Sequence, residues 1–533
     1  MSDLTETYKA ISPAEFFYKY REIAGFSNPA RAMYQTIREL VENALDATDA
    51  HGILPDVRIS ITRVDESHDF YRITVEDNGI GIPPNVVPSA FGRVLFGSKY
   101  VMRQTRGMFG LGIKMVVLYA QMTTGQPVEV ITSKRDFRRT YYFKLKIDIG
   151  KNEPVVLEAC SWRKAKKWHG TIVSVTIEGD WNRAKLRILE YVQRTAIALP
   201  YVSMVLVTPE DETLYYPRTI NKVPRPPIET KPHPLGIDLE LLASIMRSGY
   251  STVHEALING LQGVGKITAS RLVELSGVDP SKKPEELSQE ELLKLLNVIK
   301  SYNKYKPPSP KALSPLGEEV IKTGLKIFFD AEFAEAVTRK PSSYGGHPFI
   351  VEAGIAYGGG VPISEEYPLI LRYANKIPLL YDEGSDVITQ VAKDEVDWQN
   401  YLVTFPAPIV LMVHVCSTKV PFKGVGKESI ADIPELHREI RTAIQEVARK
   451  LRLYLAKKLR EEEAKKRVEM IAKYIPEIAR SLTVILGQGS SNPHINVELR
   501  NKLVENLVEI ISKKTGISRD LILRVVKSVE IET

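Results

Sequence analysis

The strongest constraint on how this chain can fold lies in residues 35–48, Gln35-Thr-Ile-Arg-Glu-Leu-Val-Glu-Asn-Ala-Leu-Asp-Ala-Thr48. As a helix at 100° per residue, the stretch puts Ile37, Val41, Ala44 and Leu45 on one apolar face. Glu39, Asn43 and Asp46, at i, i+4 and i+7, share a stripe on the other side. A stripe of this kind is ordinarily a solvated face. Two features argue otherwise here. Asn is a poor residue for a helix interior, and a carboxylate one turn before a carboxamide is a chemically useful pair. The oxygen of Asn43 suits a hard cation such as Mg²⁺, which leaves Glu39 free to orient or deprotonate a water. Either the stripe is surface, or the first domain folds so as to turn it onto a ligand.

The following residues supply parts that would hold such a ligand. A strand predicted at Phe70–Glu76 runs directly into Asp77-Asn-Gly-Ile-Gly-Ile82. Asn78-Gly79 is a common hairpin turn; equally, Gly79 and Gly81 would let backbone approach a ligand while Asp77 accepts a hydrogen bond from it. Next come Phe91-Gly-Arg-Val-Leu-Phe-Gly-Ser-Lys-Tyr100 and Arg106-Gly-Met-Phe-Gly-Leu-Gly-Ile-Lys-Met115. Gly107, Gly110 and Gly112 precede an apolar helix over about 113–121, and successive loop amides with a helix start serve phosphate oxygens well. No strand precedes this loop, so it is not of the Rossmann kind.

The order Glu-x-x-x-Asn, Asp-x-Gly-x-Gly, Gly-x-x-Gly-x-Gly resembles the GHKL ATPases, the superfamily of gyrase, heat-shock-protein-90 chaperones, histidine kinases and MutL. The resemblance implies ATP and Mg²⁺ as ligands, with Asn43 holding the metal, Glu39 activating water and Asp77 accepting from the adenine amine. It implies a phosphate lid from Gly107 through Met108, Phe109, Gly110, Leu111, Gly112 and Ile113 to Lys114, with Ser98 and Lys99 as nearby contacts. His169-Gly-Thr171, opening a strand at Ile172–Ile177, resembles the element that closes the adenine pocket, which adds Thr171. The fold implied is a mixed sheet covered on one side by helices.

Composition bounds the rest. At 533 residues, three or four domains of roughly 100–200 residues are expected. Hydrophobic content of 44% and charged content of 26% are those of an ordinary globular protein, and a net charge of +7 is compatible with nucleic acid. Cys160 and Cys416 are the only cysteines, which disfavours a disulfide framework and fits a reducing compartment. The polar start and the lack of any run of about 18 apolar residues predict a soluble, cytoplasmic protein with no membrane partner.

Four parts are predicted: residues 1–228, 229–306, 307–470 and 471–533. In the first, the basic run Trp162-Arg-Lys-Ala-Lys-Lys-Trp168 reads either as a nucleic-acid backbone contact or as a solvated hairpin tip. Proline-rich residues 223–234 and 306–310 are linkers. Within the second part, Gly260 to Lys266 fits Gly-x₄-Gly-Lys, but Ile267 occupies the Ser/Thr position and no strand precedes it, so a Walker loop is excluded. Gly263-Val-Gly265 instead resembles the hairpin of helix–two-turns–helix and helix–hairpin–helix modules, with or without a bound phosphate backbone. In the third part, strands or helices at 318–329, 349–357, 369–374 and 409–415 lead to Pro421-Phe-Lys-Gly-Val-Gly-Lys427. A lysine on a loop flexed by glycines can reach a phosphate as a point charge. Residues 434–474 have almost no helix breakers and predict one helix of about 60 Å; two or three short helices follow in 475–533.

This succession of parts resembles the B subunits of topoisomerase VI, type IIB enzymes. The fold class is accordingly α+β multidomain: a GHKL (Bergerat) ATPase sandwich, a helix–two-turns–helix insert, and an α/β transducer with a long C-terminal helix. The resemblance implies that Lys427 enters the ATP site as a catalytic lysine, with Lys423 as competitor. It also implies a second B subunit joined on ATP binding, an A subunit in an A₂B₂ heterotetramer, and double-stranded DNA captured for passage through a break that the A subunit makes. Association with the nucleoid is implied by this resemblance alone. No Asp-x-Asp pair for a cleavage metal occurs in this chain. The alternatives are a MutL-like or heat-shock-protein-90-like clamp ATPase, which the 229–306 insert disfavours, or a non-hydrolysing nucleotide-binding module. No motif claims Asp46.

Overall fold

In a computed structural model, residues 10–65, 67–97, 102–107, 110–164, 167–424, 426–486 and 493–532 are described. They form two compact units: one runs to Trp398 and resumes at Thr404–Ala448, and the other comprises Gln399–Val403 and Arg449 onward.

The first unit opens with α1 (Pro13–Lys19), capped by Ser12 accepting from the Glu15 amide at 3.0 Å. Next is α2 (Pro29–Asp49), which carries the 35–48 stretch. Asn28 caps it, accepting from the Arg31 amide at 2.9 Å, and Pro29 presets the first turn. Met33, Ile37, Leu40, Val41, Ala44 and Leu45 are all buried, at roughly 1.5–3 kcal/mol for each large side chain, so packing rather than propensity holds the helix.

α2 lies on an eight-stranded sheet together with α3 (Val87–Gly92), α4 (Gly112–Thr124) and α5 (Trp181–Ala198). The strands are β1 (Asp56–Arg63), β2 (Phe70–Asp77), β3 (Val128–Ser133), β4 (Arg139–Asp148), β5 (Glu153–Arg163), β6 (Gly170–Glu178), β7 (Ser203–Val207) and β8 (Thr213–Tyr216). Their order is β5-β4-β3-β6-β2-β1-β7-β8, all antiparallel except the parallel β1–β7 pair. Along β2 every second residue is buried, the alternation of a sheet covered on one face. β2 pairs with β1 and β6, so Asn78-Gly79 is no hairpin turn; the chain leaves the sheet there. In the basic run, Lys164 turns inward, its Nζ donating to the carbonyls of Lys134 at 2.7 Å and Trp168 at 2.9 Å, while Trp162 is exposed.

Between the two sheets in sequence, α6 (Leu239–Met246), α7 (Val253–Gly260), α8 (Lys266–Ser276) and α9 (Gln289–Ser301) enclose a core of their own, from Ile237 to Ile299. Gly260 ends a helix and Gly265 caps the next without a strand nearby, in keeping with the exclusion of a Walker loop. α10 (Glu318–Phe328) packs on α5 and on the second sheet, and one continuous core runs from α2 to that sheet. The second sheet contains β9 (Phe333–Thr338), β10 (Ser342–Tyr344), β11 (His347–Tyr357), β12 (Ile363–Ser364), β13 (Leu369–Ala374), β14 (Ile377–Pro378) and β15 (Ala407–Ser417). β15 is central, antiparallel to β11 and parallel to β13. α11 (Val387–Gln390) precedes it.

α12 (Pro434–Leu486) is longer than the predicted 434–474 and continues through Pro476. A proline removes one helical hydrogen bond; here Ile475 and Ala472 beside it are buried against Val508, Ile522 and Val526 of α13 (Pro493–Thr515) and α14 (Arg519–Glu532), which offsets that loss. Those two helices, with Gly516 between them, are the ones expected after 475, α13 being longer than expected. Among the described residues, no helix is long and apolar enough to cross a membrane.

Candidate active site

The polar stripe of α2 faces inward. Glu39 is 9% exposed, Asn43 is half-buried, and both line a cavity of about 610 Å³. The same wall carries Asp77, Gly81, Gly107, Gly110, Leu111, Gly112, Ile113, Lys114, Thr171 and, from some 390 residues downstream, Lys427. Of the residues predicted from sequence, Ser98, Lys99, Met108 and Phe109 lie outside the described residues. Gly79 is not among the residues that line the cavity; its amide donates to Asp77 Oδ1 at 2.7 Å, holding the carboxylate that does.

Asp77 ends β2 at the cavity floor, 7% exposed, and Oδ1 also accepts from the Thr171 amide at 3.2 Å. Burial pushes its carboxyl up to about 7, against the pull of the two amides. Gly81 has φ +71°, and a Cβ there would sit 2.3 Å from the Ser133 carbonyl, so the turn admits only glycine. His169 Nδ1 lies 2.8 Å from the Gly79 carbonyl and ties the β6 entry to the same loop.

Glu39 is oriented by Gln35, whose Nε2 donates to Oε1 at 3.1 Å. Gly112, the first residue of α4, abuts its other oxygen. Lys114 donates from Nζ to the Phe96 carbonyl at 2.7 Å, bracing the segment before the lid.

Several residues at the site carry no sequence motif. Arg106, just before the lid, is 5% exposed and donates to Asp46 at 3.0 Å and Asp49 at 2.7 Å. Asp46 thereby helps to anchor Arg106 at the cavity wall. Asp49 Oδ2 further accepts from Tyr201 Oη at 3.1 Å and Lys376 Nζ at 3.3 Å. Burial alone would raise the Asp49 carboxyl; Lys376 and Arg106 outweigh it and hold it below the usual range. Lys376 and Asn375 form the β13–β14 turn at φ +69° and +48°, line the cavity, and reach the lid base through Asn375 Nδ2 to the Thr105 carbonyl at 3.1 Å. A two-residue turn at positive φ normally takes Asn-Gly. Lysine in the second place was the available signal.

Lys427 Nζ donates to the Arg106 carbonyl at 3.1 Å and lies 3.8 Å from Glu42 Oε2. Lys423 is directed elsewhere, to the Ser385 carbonyl at 2.5 Å, and is absent from the cavity wall. Behind the Lys376 turn, Glu352, His414 and Cys416 cluster as metal ligands could. Their atoms are already used. Glu352 accepts from the amides of Leu316 and Gly317, Thr338 Oγ1 and His414 Nδ1, and His414 Nε2 accepts from the Lys376 amide at 2.9 Å. The cluster is a buried relay that supports the turn.

Residues 28–149 match the family of histidine kinase-, DNA gyrase B- and HSP90-like ATPases, and residues 308–467 match the topoisomerase VI B subunit transducer. The B subunit of type 2 DNA topoisomerase 6 from Saccharolobus islandicus (strain L.S.2.15 / Lassen #1) is 51% identical over 96% of both chains. That of Sulfurisphaera tokodaii is 52% identical over 96% of this chain and 97% of the relative. The chain belongs to the family of type 2 DNA topoisomerase 6 B subunits. The solved MutL ATPase domain of Aquifex aeolicus complexed with ADP is a looser likeness: 12% identity, TM-score 0.32, 72% of this chain and 90% of that one. As a topoisomerase 6 B subunit the chain is the ATPase subunit of an isomerase, and it joins a GHKL ATP-binding domain to a transducer. The readings as a MutL-like or chaperone-like clamp, or as a non-hydrolysing module, are not favoured.

Proposed function

We propose that this B subunit is an ATP-operated gate for duplex DNA, hydrolysing ATP in the cavity between α2, the 107–114 lid and Lys427. The observation that carries the reading is that a transducer lysine reaches the lid base and the cavity wall from some 390 residues away. A site shared between two modules makes nucleotide occupancy a means of setting their relation.

In this reading Asp77 accepts from the adenine amine, with Thr171 beside it. The amides around Gly107, Gly110 and Gly112 hold the phosphates at the start of α4. Glu39, fixed by Gln35, orients the attacking water and takes its proton. Lys427 contacts the γ-phosphate as a point charge. Asn43 offers one carboxamide oxygen beside that carboxylate, a donor suited to Mg²⁺, which usually takes few protein ligands and completes its shell with phosphate and water. When bound there, the metal would neutralise phosphate charge.

The proposed assembly is A₂B₂. Two B subunits meet on binding ATP, and the break in DNA is made by a separate A subunit. The proposed division is an ATPase domain at 1–228, a helix–two-turns–helix domain at 229–306, a transducer with its lever helix at 307–470, and an appendage at 471–533. The protein would act on the nucleoid in the cytoplasm. The test is to co-purify the chain with a Toprim-bearing partner and assay ATP-dependent duplex passage. A non-hydrolysable ATP analogue should convert B subunits to dimers in sedimentation. Unchanged monomers with analogue bound would overturn the gate.

A further inference from the structure

Lys427 has φ +55°, a conformation that a lysine keeps only where its surroundings over-determine it. Those surroundings centre on one side chain. Arg38, fully buried on α2, donates from Nε to Glu42 Oε1 at 2.7 Å. Its Nη1 donates to the Gly426 carbonyl at 3.1 Å and to Glu428 Oε1 at 3.4 Å. The two loop contacts therefore fall on the residue immediately before Lys427 and the residue immediately after it. Arg31, two turns earlier on the same helix, places Nη2 3.6 Å from Glu428 Oε1. From the other side, Asp386 Oδ2 accepts from the Ile430 amide at 2.7 Å.

We propose that Arg38 is the positioning residue for Lys427: its fork grips the transducer loop on both sides of the lysine and holds the ammonium group at the lid base. This deepens the proposed function and rests on Lys427 acting at the γ-phosphate. Only a planar, multi-donor group can serve Glu42, a carbonyl and a second carboxylate at once; a lysine in its place would offer a single mobile charge. Arg38 directly precedes Glu39 in sequence, yet 100° of helix rotation sends one to the loop and the other to the cavity. One helix thus fixes both the water-orienting carboxylate and the lysine that works with it. A shift of the loop relative to α2 would break the fork and withdraw Lys427 from the site.

The test is a mutant cycle on ATP turnover by the full chain. Arg38→Lys and Glu428→Ala should each lower kcat about tenfold or more while KM for ATP stays within about twofold, as expected when a group is misplaced rather than binding lost. Peptides spanning Lys427 should exchange their amide hydrogens faster in both variants. In a Lys427→Ala background either change should cost less than about twofold, because coupled residues are not additive. Unchanged kcat in Arg38→Lys and Glu428→Ala, or full additivity with Lys427→Ala, would overturn the clamp while leaving the role of Lys427 intact. Lys427→Ala turning over at the wild-type rate would instead remove the reading beneath it. Should Arg38→Lys fail to fold, Glu428→Ala decides, since it cuts the clamp from the loop side alone.

Discussion

Gly112 and Glu39 are in direct contact: a Cβ built on Gly112 would lie 1.6 Å from Glu39 Oε2 and 2.2 Å from its Cδ. On the lid role proposed for it, Gly112 would therefore have a second task besides presenting an amide. It leaves the space in which the carboxylate of α2 stands, and the opposite oxygen is held by Gln35.

Gly112→Ala should consequently abolish most turnover without unfolding the chain. The methyl group must push Glu39 aside or lift the lid, and displacement by about 1 Å can cost about 10²-fold in rate. Alanine in a first helical turn is itself favourable by up to about 1 kcal/mol. The expected outcome is wild-type circular dichroism and thermal midpoint with ATP hydrolysis down by about 10²; full hydrolysis would show that the contact is slack.

Glu39→Gln should keep ATP affinity and lose hydrolysis by about 10²–10⁴, the usual range for a general base. The amide retains the size of the carboxylate and its contact with Gln35. Equilibrium binding and steady-state turnover separate the two effects, and loss of both together would point to a binding role.

Lys427→Ala should lower turnover by about 10²–10³, as removal of one charge-stabilising donor does. Lys423→Ala should stay within about twofold, because Lys423 reaches Ser385 and not the cavity. The reverse ranking in steady-state assays would reassign the lysine.

How much of this could be read beforehand divides along one line. Features set by local periodicity and by residue type at short spacing were readable: the apolar face of α2, the Glu39–Asn43 pair, the strand into Asp77, the glycines before α4. Arg38, Glu42 and Asp49 were not. Arg38 and Glu42, at i and i+4, look like a surface ion pair and Asp49 like an ordinary charged helix end, and what buries them comes from distant chain: Glu428 over Arg38, Lys376 over Asp49. Nothing within a helix turn announces a loop arriving from 390 residues away. The extent of α12 was missed for a related reason. Pro476 is a local stop signal, and contacts with α13 and α14 override it.

The Asp49 network should show itself in stability. Lys376→Met leaves Asp49 with Arg106 but removes one of two buried cations, and the Ser314 Oγ partner at 2.9 Å is lost as well. Breaking a buried pair in this way should destabilise by about 2–3 kcal/mol. Urea unfolding followed by tryptophan fluorescence would register it as a lower midpoint, with Lys376→Arg intermediate.

On the role proposed for Asp77, nucleotide affinity should depend on pH with a defined sign. Its carboxyl titrates near pH 7 in the ligand-free fold because burial disfavours the charge. The folded protein thus holds a proton that the unfolded chain releases at lower pH; this contribution to stability is present in acid and is lost as pH rises through about 7. An adenine amine needs an acceptor, so binding selects the ionised carboxylate and should release the proton. At pH 6 only about a tenth of the molecules are ready, and affinity should be about tenfold weaker than at pH 8. The triphosphate titrates in the same range, so the ratio to Asp77→Asn is the informative quantity: the substituted chain keeps an oxygen for the Gly79 and Thr171 amides but cannot ionise. In calorimetry at pH 7, with two buffers of different ionisation enthalpy, the wild type should release about half a proton more per nucleotide than Asp77→Asn does. Equal release by both would mean that Asp77 binds nucleotide without changing its charge.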